Sequence, residues 1–237
     1  MGYWGQITQT GWYNAAQRIV AVALIPTGLI ASSFFPALSR FFGQSKEKLQ
    51  KGWNYLMETM IFIAVPLVIG GIALAPKIID LVYDPSYFPS VLAFQILIAT
   101  GGVAISSSPL SQGLLVSNQQ KKIFWIVLFG AVTNVILNFI LIPRYSLYGA
   151  ALTTLTASLL MLFLLFKFTS KFTRLQPINL RLIYTFVISF ISSIVMYLAI
   201  SFPDVYNLYI IFIILVGILV YFPTFFILKK VLKYFIK

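Results

Sequence analysis

The sequence predicts an all-α integral membrane protein, and three observations lead to that fold class. The 237 residues are 60% hydrophobic and only 9% charged, whereas a soluble domain carries about 25% charged residues. The mean hydropathy is +0.95. Seven apolar runs, each near the roughly 20 residues that a transmembrane helix needs, alternate with short polar connections. So little charge cannot cover a water-soluble surface, and the apolar runs are therefore expected to face lipid.

The seven runs are long enough to cross the hydrocarbon core, where a helix satisfies its own backbone hydrogen bonds. Each carries its polar residues mainly near its ends or on one face. Prolines at positions 26, 36, 66 and 109 predict bends inside the first three runs. The spans are predicted at residues 12–42, 53–75, 89–116, 123–142, 149–168, 182–202 and 208–228.

The basic residues predict the topology. Fourteen of the seventeen Lys and Arg residues, with Arg40 and Lys167 counted, lie at the end of the first, third, fifth or seventh span or directly after it, and only Arg18, Lys77 and Arg144 do not. The positive-inside rule therefore places those four connections and the C-terminus in the cytoplasm, and the chain in the cytoplasmic (inner) membrane as a multi-pass protein. The net charge of +12 lies beside apolar runs. It is accordingly interpreted as topology-setting charge, and no nucleic-acid partner is expected.

The first span carries three polar residues, Asn14, Gln17 and Arg18, in its first turns. An ionisable group at membrane depth is costly and usually faces a cavity or a partner. One interpretation is that Arg18 extends its guanidinium to the lipid headgroups. The other is that Arg18 faces a water-filled cavity and attracts an anionic group such as a phosphate, which arginine binds bidentately.

The fourth span carries Asn134 and Asn138, whose spacing of four residues puts both amides on one helical face. Interhelical hydrogen bonds, which hold membrane helices together, are one interpretation. The other is a set of oxygen ligands for a small cation such as Na⁺, completed by Thr154 on the next span. Neither asparagine brings a negative charge, so such a site would be weak.

The third span contains TGGVAISSSPLSQG, residues 100–113, whose small residues permit close helix packing around the bend at Pro109. Gln112 lies beside this bend and is a candidate for lining a substrate pathway. Glu58 lies near one end of the second span, and a pair with Lys51 or Arg40 is the expected arrangement.

Catalysis by the usual side-chain sets is not expected. The chain has no cysteine and no histidine, which excludes disulfides, thiolate metal sites and the commonest general base. No Gly-rich phosphate loop is present, so neither a metal, a cofactor nor an enzymatic activity is predicted. A membrane transferase using Asp80 and Asp84 stays as an alternative, although the YDPSY segment is typical of a turn.

Four segments carry a family resemblance. WYNAAQRIVAVALIPTGLIASSFFPALSRFF resembles the span that opens the second half of polysaccharide (O-antigen type) flippases, in the multidrug/oligosaccharidyl-lipid/polysaccharide exporter superfamily. The segments APKIIDLVYDPSYF, SSSPLSQGLLVSNQQKK and TNVILNFILIPRYSLYGAALTTLTA are similar to later elements of that family. The resemblance covers residues 2–175, and the last two spans match in hydropathy.

The resemblance implies a fourteen-helix protein of two six-helix lobes and an extra helix pair. Residues 1–175 would be the C-terminal lobe with five spans, and residues 176–237 the additional pair, which in such relatives forms a groove for a lipid tail. A missing N-terminal lobe or a second chain would complete the transporter. The implied substrate is an undecaprenyl-diphosphate-linked oligosaccharide, moved across membrane lipid by alternating access.

The resemblance also implies roles for particular residues. Arg18 matches a cavity-facing arginine, so substrate binding is expected at Arg18, Asn14, Gln17 and Gln112. A cation site would fall on Asn134, Asn138 and Thr154, with Asn138 where an acid is expected. Two alternatives stay open: a drug/cation antiporter of the same superfamily, which needs an intramembrane acid, and an inactive or structural membrane fragment, which the missing lobe would explain.

Overall fold

The computed structural model describes residues 7–173 and 175–235, with side chains as far as Val231. Those residues form helices and no strands, which confirms the predicted all-α class. Arg174 and Lys237, two of the predicted cytoplasmic basic residues, lie outside the described part. The helices are α1 (Ile7–Ser33), α2 (Phe35–Gln44), α3 (Lys46–Val82), α4 (Ser90–Val116), α5 (Gln120–Phe172), α6 (Leu180–Ser201), α7 (Pro203–Tyr206) and α8 (Ile210–Phe235), with a 3-10 turn at Pro85–Tyr87.

The long helix α5 is two membrane spans folded back on each other. Its backbone leaves the helical region at Ser146, where φ is 52° and ψ is −126°. Asn138 and Thr153 contact each other across the fold. A Cβ on Gly149 would lie 2.5 Å from the carbonyl oxygen of Leu141, so the close return of the chain requires glycine there. Six helices in the described residues are long and apolar enough to cross a membrane, and this fold raises the number of spans to the predicted seven.

Several boundaries differ from the prediction, among them the end of α3, which continues to Val82 beyond the predicted end at residue 75. The first span is interrupted at Phe34, because Pro36 in the first turn of α2 cannot donate a backbone hydrogen bond. Helix α3 is 37 residues long and includes the polar segment before residue 53, which was predicted to be a connection. Ser45 caps this segment, and Glu47 and Lys51 form an ion pair of 2.7 Å one turn apart. Polar residues of this kind continue a helix into the interface.

Helix α4 lies at the centre of the bundle and packs against α1, α3 and α5. Its small residues allow this close approach, since a Cβ on Gly102 would lie only 2.4 Å from Cγ2 of Val68 on α3. Helix α3 packs on its other side against α6, which in turn packs against α8. The pair α6–α8 is therefore attached to the rest of the bundle through α3.

One end of the bundle is rich in basic residues and is called the basic end below. Its described cations are Arg40, Lys46, Lys48, Lys51, Lys121, Lys122, Lys167, Lys171, Arg181, Lys229 and Lys230. Near this end, Trp53 is fully buried and its Nε1 donates a hydrogen bond of 2.7 Å to the carbonyl of Pro109. The indole thereby fixes α3 against the bend of α4.

Candidate functional site

The open face of α1 carries all three polar residues predicted from its first turns. Asn14, Gln17 and Arg18 are exposed, whereas Ala16 and Val20 on the opposite face are buried. The 3.6-residue period of the helix produces this division. Among the residues that the structure describes, no ion pair or hydrogen bond engages the Arg18 guanidinium. The guanidinium is therefore available to an anion at this face.

Gln112 does not join the cluster on α1. Its Nε2 lies 3.5 Å from the carbonyl oxygen of Ala31. Ala31 follows Arg18 by thirteen residues, which corresponds to about 20 Å along the helix axis. The Oε1 atom of Gln112 is buried and has no hydrogen-bond partner within the described part of the chain. Gln112 thus lies closer to the basic end than Arg18 does.

The two asparagines of α5 form a continuous hydrogen-bonded network with a threonine. Asn138 Nδ2 donates to Asn134 Oδ1 at 2.8 Å, and Thr153 Oγ1 donates to Asn138 Oδ1 at 2.6 Å. The two spans of α5 are joined by this network, as the hydrogen-bonding interpretation predicted. Both amide oxygens keep a second lone pair that a cation could share. The network contains no carboxylate, so any cation site there lacks negative charge.

Thr154, the third predicted cation ligand, makes no hydrogen bond to either asparagine among the described contacts. Its Oγ1 donates to the carbonyl of Ala150 at 2.9 Å and lies 3.4 Å from the hydroxyl of Tyr13 on α1. Thr153 and Tyr13 were not singled out from the sequence. Counting outward from the fold at Ser146 pairs Asn138 with position 154, eight residues away on either side, so the actual register of the fold was needed to identify Thr153.

A mostly apolar cavity of about 490 Å³ lies between α3, α4, α6 and α8, with one edge on α1; it is called the groove below. On α1 the groove is lined by Ile19 and Ala23, and Ile19 directly follows Arg18. Its other walls include Pro66, Leu67, Gly70, Met196, Gly217 and Phe222. The groove therefore borders the helix whose open face carries the guanidinium.

Aromatic rings lie at the end of the groove nearest the basic end. The ring of Phe62 packs edge-on against Phe225 with centroids 4.6 Å apart and against Phe222 at 5.2 Å. Tyr221 is buried beside them, with its ring 5.2 Å from that of Phe62. Offset and edge-on ring packing of this kind is favourable and rigid. These four residues are called the aromatic cluster below.

Glu58 lies one turn before Phe62 and is only 5% exposed. It pairs with Arg181 of α6 and Lys229 of α8. The expected pair with Lys51 or Arg40 is therefore wrong: Lys51 binds Glu47 instead. The physical reason is that α6 and α8 cover this face of α3 and bring their cations to the carboxylate, while Lys51 has a nearer acid on its own helix.

Comparison with known proteins identifies a matching family model and a solved structure with a similar fold. A family model described as lipid II flippase MurJ matches residues 6–217. A solved structure of a lipid II flippase MurJ in an inward closed conformation is similar, with a TM-score of 0.76 and 22% sequence identity. The superposition covers 94% of this chain and 48% of that one. At this identity the structural match shows a shared fold.

Relatives by sequence come from archaea and bacteria. An uncharacterized membrane protein, MJ1068, of Methanocaldococcus jannaschii is 28% identical over 190 residues, which are 76% of this chain and 37% of that protein. A probable flippase, AglR, of Haloferax volcanii is 29% identical over 65% of this chain and 33% of its own length. A capsular polysaccharide biosynthesis protein, CapF, of Staphylococcus aureus is 30% identical over 56% of this chain and 35% of its own. The matched part of the chain thus spans about a third of each relative's length.

Proposed function

The chain belongs to the lipid II flippase MurJ family, and from that premise we propose that it is part of a flippase for a polyprenyl-diphosphate-linked oligosaccharide. Residues 1–175 form a transporter lobe and residues 176–237 an accessory helix pair. The names of AglR and CapF, a probable flippase and a capsular polysaccharide biosynthesis protein, support a glycan-linked lipid as the substrate class.

One relationship carries this proposal: Arg18 and Ile19 are consecutive residues with different surroundings. The guanidinium of Arg18 is on the open face of α1, and Ile19 lines the apolar groove. A prenyl-linked diphosphate has the matching chemistry, an anionic head joined to a long apolar tail. Arginine binds phosphate oxygens bidentately, and an apolar groove holds an isoprenoid chain by burial. Asn14 and Gln17 supply neutral polar contacts for the sugar.

The transport cycle follows from these positions. A missing N-terminal lobe, or a second chain, covers the open face of α1 and completes a central cavity. The basic end faces the cytoplasm, so the head enters from that side and leaves toward the outer leaflet of the cytoplasmic membrane. Rocking of the lobes, with bends at Pro26, Pro66 and Pro109, switches the exposure of the cavity. Gln112, nearer the basic end, contacts the head at an earlier stage than Arg18.

Energy coupling is proposed at the network on α5. Asn134, Asn138 and Thr153 present oxygen atoms between the two spans, and Thr154 links the second span to Tyr13 on α1. A monovalent cation such as Na⁺ would bind weakly here, since its ligands are uncharged. Through Tyr13, occupancy of this network reaches the same helix that carries Arg18.

Export of the oligosaccharide tests the role of Arg18. In cells that depend on this chain, Arg18→Ala is expected to reduce surface polysaccharide at least about tenfold and to accumulate the lipid-linked precursor, because one charged hydrogen-bond donor contributes about 1.5–3 kcal/mol. Arg18→Lys keeps the charge but loses the bidentate geometry and should retain part of the export. The matched control is Arg144→Ala, another exposed arginine. Normal export by Arg18→Ala would make Arg18 an interface anchor.

The drug/cation antiporter alternative needs an acid that can exchange cations within the membrane. Glu58 is the acid placed within a predicted span, and it is 5% exposed and paired with both Arg181 and Lys229. A carboxylate held by two cations is poorly suited to bind and release a third. The flippase is therefore the function that the site supports best.

A further inference from the structure

We propose that Arg181 and Lys229 form a second phosphate site, at the basic end beside the aromatic cluster, that receives the diphosphate of a prenyl-linked lipid before Arg18 does. This inference rests on the proposed flippase function. It assigns a role to a cluster outside the Arg18 face and outside the network on α5.

Three helices contribute to the site. Arg181 Nη2 on α6 lies 3.2 Å from Oε2 of Glu58 on α3, and Lys229 Nζ on α8 lies 3.5 Å from the same oxygen. Arg181 also contacts Oε1 through its Nε. Two cations therefore share one carboxylate, which leaves a net charge of +1 at the cluster. Lys230, the next residue on α8, is exposed and adds to the positive field.

The cations remain open on their outer side. The Glu58 side chain is 6% exposed, whereas the side chains of Arg181 and Lys229 are 64% and 45% exposed. Arginine has five N–H donors and lysine three, so the carboxylate occupies only a minority of them. Glu58 thus holds two long side chains in place while their remaining donors point outward. This preorganisation lowers the entropy lost when an anion binds.

The surroundings favour the phosphate of a lipid over a soluble anion. Lys229 Nζ lies 5.6 Å from the ring centroid of Phe225, which packs on Phe62 at the end of the groove. Glu58 precedes Phe62 by one turn, about 6 Å along the helix. A diphosphate bound by Arg181 and Lys229 therefore places its first isoprene units against the aromatic cluster and later units in the groove. Basic pockets between membrane helices bind lipid headgroups in this way.

The carboxylate of Glu58 is expected to weaken binding of the diphosphate at this site. As the resident anion it competes with the ligand for Arg181 and Lys229. Glu58→Gln keeps an oxygen that accepts a hydrogen bond from Arg181 and so retains the positioning, but it removes the negative charge that competes with the ligand. Binding should therefore tighten by about tenfold, the effect of one charged hydrogen bond. A purely structural ion pair predicts the opposite, because losing the carboxylate would loosen the helices and weaken any binding.

The experiment measures binding of farnesyl diphosphate to the purified full chain in detergent. Glu58→Gln is expected to tighten binding, and the double variant Glu58→Gln/Arg181→Gln to weaken it at least about tenfold relative to Glu58→Gln. The double variant avoids leaving a buried carboxylate without its arginine, and its thermal midpoint verifies folding. Lys51→Gln, a charge removed at the same end of the bundle, is the matched control and should bind normally.

Three results would overturn the proposal. One is weaker binding by Glu58→Gln, and another is binding by the double variant equal to that of Glu58→Gln. The third is equal competition by phosphatidylglycerol or by inorganic pyrophosphate, since the site would then select an anionic lipid in general or a headgroup alone. Arg18→Ala in the same assay separates the two proposals. Binding that needs Arg18 but not Arg181 removes this site and leaves the proposed function intact, whereas normal export by Arg18→Ala removes the observation on which the proposed function rests.

Discussion

The hydroxyl of Tyr221 on α8 donates a hydrogen bond of 2.8 Å to the carbonyl oxygen of Phe62 on α3. In a regular helix that carbonyl accepts from the N–H four residues later, but that residue is Pro66, which has no N–H. Tyr221 therefore completes the backbone hydrogen bonding of α3 at Pro66. Since Pro66 lines the groove, the helix pair supports this part of the groove wall.

At the second proline inside α3, Pro76, the missing hydrogen bond is replaced in the same way by a residue of α4. Pro76 leaves the carbonyl of Ile72 without its helical partner, and Gln95 Nε2 donates to that oxygen at 3.1 Å. An unsatisfied backbone group in the hydrocarbon region costs several kcal/mol, so neighbouring helices must supply the donors that proline removes. At both prolines of α3, a side chain of a neighbouring helix therefore satisfies the carbonyl that the proline leaves free.

Tyr221→Phe is expected to lower the free energy of unfolding by about 1 kcal/mol, because it leaves the Phe62 carbonyl without a donor and keeps the ring. Reversible unfolding in mixed detergent micelles measures this difference. Tyr209→Phe is the matched control, since Tyr209 is 83% exposed and its loss of a hydroxyl should change nothing.

In a Pro66→Ala background, the hydrogen bond from Tyr221 to the carbonyl of Phe62 should no longer be needed. Alanine restores the N–H that the Phe62 carbonyl would use within the helix, so Tyr221→Phe should cost less than half as much in this background. A double-mutant cycle over these two positions measures the coupling. Equal costs in both backgrounds would show that Tyr221 stabilises the fold only by packing.

The sequence predicted where the membrane spans lie, but it did not predict which residues of different helices contact each other. Hydropathy located all seven spans because lipid requires long apolar helices, and Pro143 with Gly149 marked the fold inside α5. Residues that line the groove could not be recognised, since apolar side chains facing a groove and those facing lipid look alike. The partners of Glu58 lie more than 120 residues away, and only the packing of α6 and α8 on α3 brings them together.

The network on α5 shows that the sequence could not predict which of two adjacent threonines contacts Asn138. Thr153 and Thr154 differ by about 100° around the helix, so only one of them can face Asn138. The structure places Thr153 there and directs Thr154 toward Tyr13. The polar face of α1, by contrast, is explained by the helical period alone, because Asn14 and Arg18 are one turn apart.

Gly217→Leu is expected to block the groove. A Cβ at this position meets its nearest atoms, on Ile200 and Met196, at 3.6 Å, which is ordinary contact, while a longer side chain would press against these two groove-lining residues and narrow the groove. Export of the lipid-linked oligosaccharide should fall by about tenfold, equivalent to about 1.4 kcal/mol of binding. The matched control is Gly217→Ala, which fits without filling the groove and should export normally. Equal export by both variants would place the prenyl tail elsewhere.

Asn138→Asp is expected to make the network on α5 respond to sodium. A carboxylate at this position adds the negative charge that the oxygen ligands lack, so Na⁺ should raise the thermal unfolding midpoint of this variant relative to choline. At a sodium concentration about ten times the dissociation constant the stabilisation is about 1.4 kcal/mol. Asn138→Leu is the control, since it removes the amide and should show no sodium response. An unfolding midpoint of Asn138→Asp that is the same in sodium and in choline would leave the network a purely structural contact.

Lys77 holds the other end of the helix pair against α3. Its Nζ donates to the carbonyl of Tyr206, lies 3.3 Å from the carbonyl of Leu208, and lies 4.3 Å from the Tyr206 ring centroid. Together with Glu58 at the basic end, Lys77 fixes both ends of the α6–α8 pair, and thereby the width of the groove between that pair and α3.

Lys77→Met keeps the length of the side chain and removes its donors. Charged hydrogen bonds contribute about 1.5–3 kcal/mol, so amide hydrogen exchange over residues 203–209 should accelerate at least about tenfold. The middle of α8, where Ile213 and Tyr221 are buried, should keep its protection because its packing is unchanged. Arg144→Met removes another exposed cation away from the pair and is the control. Unchanged exchange in Lys77→Met would mean that Val205 and Tyr206 hold this connection by apolar packing alone.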